Sequence, residues 1–177
     1  MTELAALEAR IRRLEDLEAI KNVKHRYFRC LDSQQWDELR TCFTDDVVTD
    51  YEDGHYHLEG IDEAMRFLTE SLGGLRAMGR VAKHTGLHPE IELTSDTTAT
   101  GHWTLHAFAF DARRRELSTQ VSYYEDRYRK TGGEWRITYT GYTSYIHATA
   151  EAVAMHVEVD SENDSRAFNH KARGTAR

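Results

Sequence analysis

The chain has 177 residues, 40% of them apolar and 10% aromatic, enough to bury the core of a single domain and too apolar for a disordered chain. Its 30 acidic and 23 basic residues leave a net charge of -7. The one cationic run, Arg113-Arg114-Arg115, reads as a hairpin tip, so nucleic acid is not an expected partner.

No stretch approaches membrane-spanning length, and the first twenty residues are charged throughout, without the apolar run of a secretory signal. Cys30 and Cys42 have apolar neighbours inside helical patterns and read as reduced, buried thiols. These features predict a cytoplasmic protein with no membrane partner.

In chain order, Leu4, Leu7, Ile11, Leu14, Leu17, Ile20, Val23, Tyr27 and Leu31 recur at spacings of three and four. That is the stripe of one long amphipathic helix ending near Asp32 and Ser33. Its leucines span too few heptads for a coiled coil, which predicts packing against a sheet or a neighbouring subunit. A shorter helix follows, with Trp36, Leu39 and Phe43 on its buried side.

The period then changes. Val47 to Tyr51 and Tyr56 to Glu59 read as short strands around an Asp53-Gly54 turn. Ile61 to Leu72 returns to helical spacing, with Ala64, Met65 and Leu68 facing in, and Gly73-Gly74 stops it. Four strands follow, predicted over 82–93, 97–111, 117–130 and 134–147. Their separators, Ser95-Asp96, Asp111 to Arg115 and Gly132-Gly133, have turn chemistry.

Helices followed by sequential long strands predict an α+β domain over 1–150, with an antiparallel sheet coiled around a pocket that the helices roof. The polar segment 151–177 is expected to be a partly disordered tail. After Gly101, one strand face carries Trp103, Leu105, Ala107 and Ala109, and the other His102, Thr104, His106, Phe108 and Phe110. Both faces carry apolar groups, so one is expected to line the pocket and the other to meet a second subunit.

Four polar residues fall where such a pocket would gather them: Tyr27, Asp32, Tyr51 and His84. Taken singly, Tyr27 is a core aromatic of the helix stripe and Asp32 a turn or capping residue. The pairs His55/His57 and His102/His106 each share a strand face, but no cysteine or carboxylate completes a metal set at a recognisable spacing. Neither metal nor cofactor is expected.

The segments Tyr27-Phe28-Arg29-Cys30-Leu31-Asp32, Trp36-Asp37-Glu38-Leu39, Val48-Thr49-x-Tyr51 and Pro89-Glu90-Ile91 carry a resemblance. So do Thr98-Ala99-Thr100-Gly101-x-Trp103-x-Leu105 and Thr140-Gly141-Tyr142. In this order, from about Leu14 to about Tyr145, they resemble the SnoaL-like branch of the NTF2-like superfamily. The pattern is most similar to bile-acid 7α-dehydratase and is also similar to scytalone dehydratase and hexachlorocyclohexane dehydrochlorinase.

The resemblance implies a cystatin-like cone, a strongly curved antiparallel sheet with N-terminal helices roofing a pocket. It further implies that Asp32 pairs with His84, which takes a proton from substrate, while Tyr27 and Tyr51 hold a carbonyl or leaving oxygen. A neutral imidazole can accept a proton from a carbon next to a carbonyl, and a carboxylate on its other nitrogen fixes the tautomer.

Candidate substrate-binding residues are Trp103, Leu105, Ala107, Tyr142 and His106. Bile-acid 7α-dehydratase carries a further catalytic aspartate on the Gly-x-Trp-x-Leu strand, and that position falls near Ala107 here. The second histidine of scytalone dehydratase falls near Ala109. His106 points to the opposite face unless a bulge turns it.

The implied activity is a cofactor-free dehydratase acting on a small hydrophobic, hydroxylated carbonyl compound, steroid- or polyketide-like. An isomerase using the same dyad, or a non-catalytic binding domain, remain alternatives, because this fold hosts many activities. The related dehydratases imply a homotrimer, with a dimer as the other possibility.

Overall fold

The structure is a computed structural model describing residues 2–152. The tail expected over 151–177 lies outside the described residues, apart from its first two positions. Helix α1 spans Glu3–Ser33, α2 Trp36–Arg40 and α3 Ile61–Leu72. The strands are β1 Phe43–Tyr51, β2 Tyr56–Glu59, β3 Arg80–Leu93, β4 Thr98–Asp111, β5 Glu116–Thr131 and β6 Glu134–Glu151.

Thr2 Oγ1 caps the start of α1 by accepting the Ala5 N–H at 3.3 Å. At the other end Gln34 adopts the left-handed conformation and the Gln35 N–H bonds the Cys30 carbonyl. The Gln34 side chain donates to the Leu72 carbonyl at 2.8 Å, joining the ends of α1 and α3. That bond holds the last turn of α1 above the sheet.

Two expectations for this region change. Phe43 opens β1 instead of closing a helix, and Cys42 sits in the turn before it. Trp36 is only half-buried. With five residues, α2 is too short to carry the stripe that the spacing suggested.

The six strands form one open sheet in the order β2-β1-β6-β5-β4-β3. The expected antiparallel meander is present from β3 to β6, and β1 and β2 form the expected hairpin. The sheet is nevertheless mixed, because β1 runs parallel to β6. A parallel neighbour requires a long crossover, supplied here by everything between β1 and β6.

Register shifts curl the sheet: one in β3 between Leu87 and Glu90, and two between β5 and β6. Pro89 falls inside the first shift on an edge strand, where its missing N–H costs no sheet bond. Strands β5 and β6 extend to Thr131 and Glu151, beyond the predicted ends at 130 and 147.

The core lies between the concave face and the second half of α1. Ile20, Val23, Tyr27, Phe28 and Leu31 pack with Trp103, Leu105, Tyr124, Tyr128 and Ile137. One ion pair is enclosed with them, Lys24 with Asp126. Among the described residues, the apolar stripe of the first half of α1 is uncovered: Leu4, Leu7, Ile11 and Leu14 are 47–65% exposed. Periodicity marks an apolar stripe on this helix, but the sheet reaches only part of it.

Candidate active site

Asp32 ends the last turn of α1 with its side chain only 5% exposed. Because β3 is an edge strand, its outward N–H groups lack a sheet partner. Asp32 accepts the backbone N–H of His84 with its two oxygens at 3.1 and 3.2 Å. The same carboxylate lies 2.6 Å from His84 Nδ1 and 3.0 Å from Lys83 Nζ.

A carboxylate can only accept, so the Nδ1 proton lies between the two groups, and in the neutral ring the lone pair is on Nε2. His84 is about one-fifth exposed and lines a cavity of about 140 Å³. The dyad therefore combines an oriented ring with an open face.

Tyr27, Tyr51, Tyr124 and Tyr142 supply phenols to the same cavity, and Leu31, Phe67, Leu68 and Leu72 complete its apolar wall. Tyr27 and Tyr51 place their hydroxyls 3.4 Å apart. Burial is the main cause that raises Tyr27, Tyr51 and Tyr124 well above the ordinary phenol value. Tyr142 rises to about 12 for the same first reason. All four therefore remain protonated near neutrality and can donate hydrogen bonds. At the rim stand the exposed Glu52, Tyr56 and Ser71.

Tyr27, Asp32, Tyr51, His84 and Tyr142 thus come together from α1, β1, β3 and β6. Other expected contacts do not line the cavity. Trp103 and Leu105 face inward, each 2% exposed, but they are covered by α1. Trp103 Nε1 donates to Tyr128 Oη at 3.1 Å, and its ring meets His25 edge-on. Ala107 lies opposite His84 in register, on the same face, without reaching the cavity.

His106 is a correction. Its ring lies on the outer face, exposed, with Nε2 3.0 Å from Thr119 Oγ1. Strand alternation sends it there, and β4 pairs with β5 without a register shift from Thr98 to Asp111, so no bulge turns it inward.

Sequence reasoning missed Tyr124 and the contribution of α3. Buried Ser122, Tyr124, Asp126 and Tyr128 alternate with exposed residues along β5, but Ser122 and Asp126 are polar and Tyr123 is aromatic, so hydrophobic alternation does not single out Tyr124. Nothing local marks Phe67 or Leu72 as cavity wall.

Among the described residues, no group of three or more His, Cys, Asp or Glu is placed to hold a metal ion. His57 bonds Asp50 at 2.6 Å and Glu59 at 3.3 Å on the exposed surface, and Asp50 first, then Glu59, raises its pKa. No described helix is long and apolar enough to cross a membrane.

Comparison with solved structures places this architecture. Hexachlorocyclohexane dehydrochlorinase LinA-type3 from Novosphingobium barchaimii LL02 superposes with a TM-score of 0.72 at 15% identity, covering 84% of this chain and 98% of that one. A Novosphingobium aromaticivorans protein assigned as a scytalone dehydratase gives 0.69 at 21% identity, covering 83% and 92%. An NTF2-like protein with a cystatin-like fold from the same organism gives 0.70 at 23%, covering 81% and 91%.

These similarities establish the fold. The SnoaL-like domain model matches residues 12–141, a span that holds α1 from its third turn, the dyad and every cavity tyrosine except Tyr142. This chain belongs to the SnoaL-like family.

Proposed function

We propose that this chain is a cofactor-free lyase that removes water from a hydrophobic, hydroxylated carbonyl compound. The observation that carries the reading is the 2.6 Å His84–Asp32 bond at the wall of a phenol-lined cavity. His84 Nε2 takes the proton from the carbon next to the carbonyl, and Asp32 stabilises the imidazolium. Tyr27 and Tyr51 donate to the oxygen where negative charge develops.

The C–H electron pair becomes the double bond as the C–O bond breaks, and the leaving hydroxide takes a proton to depart as water. Ala107 supplies no acid beside His84, so the imidazolium returns the proton. A cavity of about 140 Å³ accepts roughly one ring. The reacting ring of a steroid- or polyketide-like substrate occupies it, and the remainder extends past Glu52 and Tyr56. Bile acids are one member of this class.

The alanine opposite His84 also favours a second reading, in which the same imidazolium returns the proton to another carbon and shifts a double bond. Product mass separates the two, since dehydration removes one water and isomerisation conserves mass. Turnover of hydroxylated enones by His84→Ala and Asp32→Asn is expected to fall by about 10²–10⁴-fold for His84→Ala and substantially for Asp32→Asn. Wild-type rates in both variants would remove the mechanism.

Two buried free thiols favour a reducing compartment, and we place the protein in the cytoplasm. We also propose that it assembles as a homo-oligomer, with a trimer as the favoured state and a dimer as the alternative. Leu87, Phe108, Tyr123, Tyr145 and Ile146, all 37–68% exposed, support that assignment.

A further inference from the structure

A positive charge lies directly behind the phenols of the cavity. Lys24 is completely buried; its Nζ donates to Asp126 at 2.9 Å and to Thr140 Oγ1 at 3.1 Å. The same nitrogen lies 3.8 Å from the ring centroid of Tyr124 and 4.7 Å from that of Tyr27. Both of those rings line the cavity. On the other side, Asp126 accepts the Tyr128 hydroxyl at 2.6 Å, and that hydroxyl accepts Trp103 Nε1. Lys24 and Asp126 do not themselves line the cavity.

Burying an ion pair costs desolvation of both charges, and well-packed apolar side chains of the same volume often hold a core as firmly. A pin between α1 and the sheet therefore does not need an ammonium. An ammonium against an aromatic face does what an aliphatic group cannot. It draws electron density from the ring, makes the phenol a stronger donor and raises the positive potential around it. Lys24 Nζ is the end of the pair that lies over the Tyr124 and Tyr27 rings, while the Asp126 charge also reaches both phenols and, after burial, adds to the rise in their pKa.

We propose that Lys24 is a positioning residue for a three-phenol oxyanion site, in which Tyr124 is a further donor beside Tyr27 and Tyr51. The ligand chemistry is an enolate-like or phenolate oxygen on a single ring. This proposal rests on the reading of the cavity as a site where oxyanions develop, and it adds a donor and the charge that tunes it.

The test uses two ligands that differ only in the group at issue, 4-nitrophenol and nitrobenzene. The neutral and ionised forms of the phenol absorb at different wavelengths, so a titration reports which form binds. Wild type is compared with Lys24→Met/Asp126→Asn, which removes both charges while keeping the volume and an acceptor for Tyr128. Tyr124→Phe is the third protein.

Wild type is expected to bind the ionised phenol about tenfold more tightly than nitrobenzene. Both variants are expected to lose about tenfold for the phenolate, with nitrobenzene changed by less than about twofold. Circular dichroism checks folding, and Lys24→Gln, which can keep both hydrogen bonds, takes over if the double variant does not fold.

Equal losses for both ligands would reduce Lys24 to a structural pin and overturn the proposal. A wild-type preference that survives removal of the charge would do the same while leaving Tyr27 and Tyr51 in place. If wild type shows no preference for the ionised phenol, the oxyanion reading of the cavity falls, and the role of Lys24 falls with it.

Discussion

Cys30 and Cys42 are fully buried, and burial first of all pushes their thiols from 9.0 up to about 11 and about 12. The unfolded chain releases these protons at lower pH than the folded one. Stability is therefore full below about pH 9 and falls as pH rises toward 11 and 12, by about 1.4 kcal/mol per unit for each thiol. Urea unfolding at pH 8 and pH 10.5 should show a steeper alkaline loss for wild type than for Cys30→Ala/Cys42→Ala. Parallel losses in the two proteins would count against it, since the buried tyrosines ionise alike in both. The same protonated, covered thiols should react slowly with iodoacetamide at neutral pH.

Between α1 and β3 the site depends on a close approach. A Cβ at Gly86 would collide with the Phe28 ring, so the missing side chain lets the helix lie against the edge strand. Asp32 is four residues beyond Phe28, on the same helix face, and so comes down beside His84. Gly86→Ala should destabilise the fold by about 1–3 kcal/mol through overpacking. It should also lower kcat/KM by moving Asp32 away from the ring. A variant that melts and turns over like wild type would show that the approach is unimportant. The helices, the hairpin and the glycine stop of α3 were legible from residue spacing, because each is governed by contacts a few residues apart. The parallel β1–β6 pairing was not, because partners about ninety positions apart leave no local pattern.

At the scale of the molecule, two apolar surfaces are unpartnered within the described chain, the outer sheet face and the first half of α1. Sedimentation equilibrium is expected to find an oligomer, and Phe108→Asp/Tyr123→Asp to shift it toward monomer with the circular dichroism retained. A wild-type monomer at micromolar concentration would be the contrary result. The sequence by itself determined the α+β class, the order of elements and a short roster that included Tyr27, Asp32, Tyr51 and His84. Periodicity and turn chemistry act locally and so can be read locally. The family resemblance implied the Asp32–His84 pair, which local pattern alone does not reveal and which the structure brings to 2.6 Å across 52 positions. Only the tertiary structure decided that Lys24 meets Asp126 across 102 and that Tyr124 replaces Trp103 at the cavity wall. Those contacts depend on how the sheet curls and how far the helix reaches over it, and both are set by packing of the whole chain.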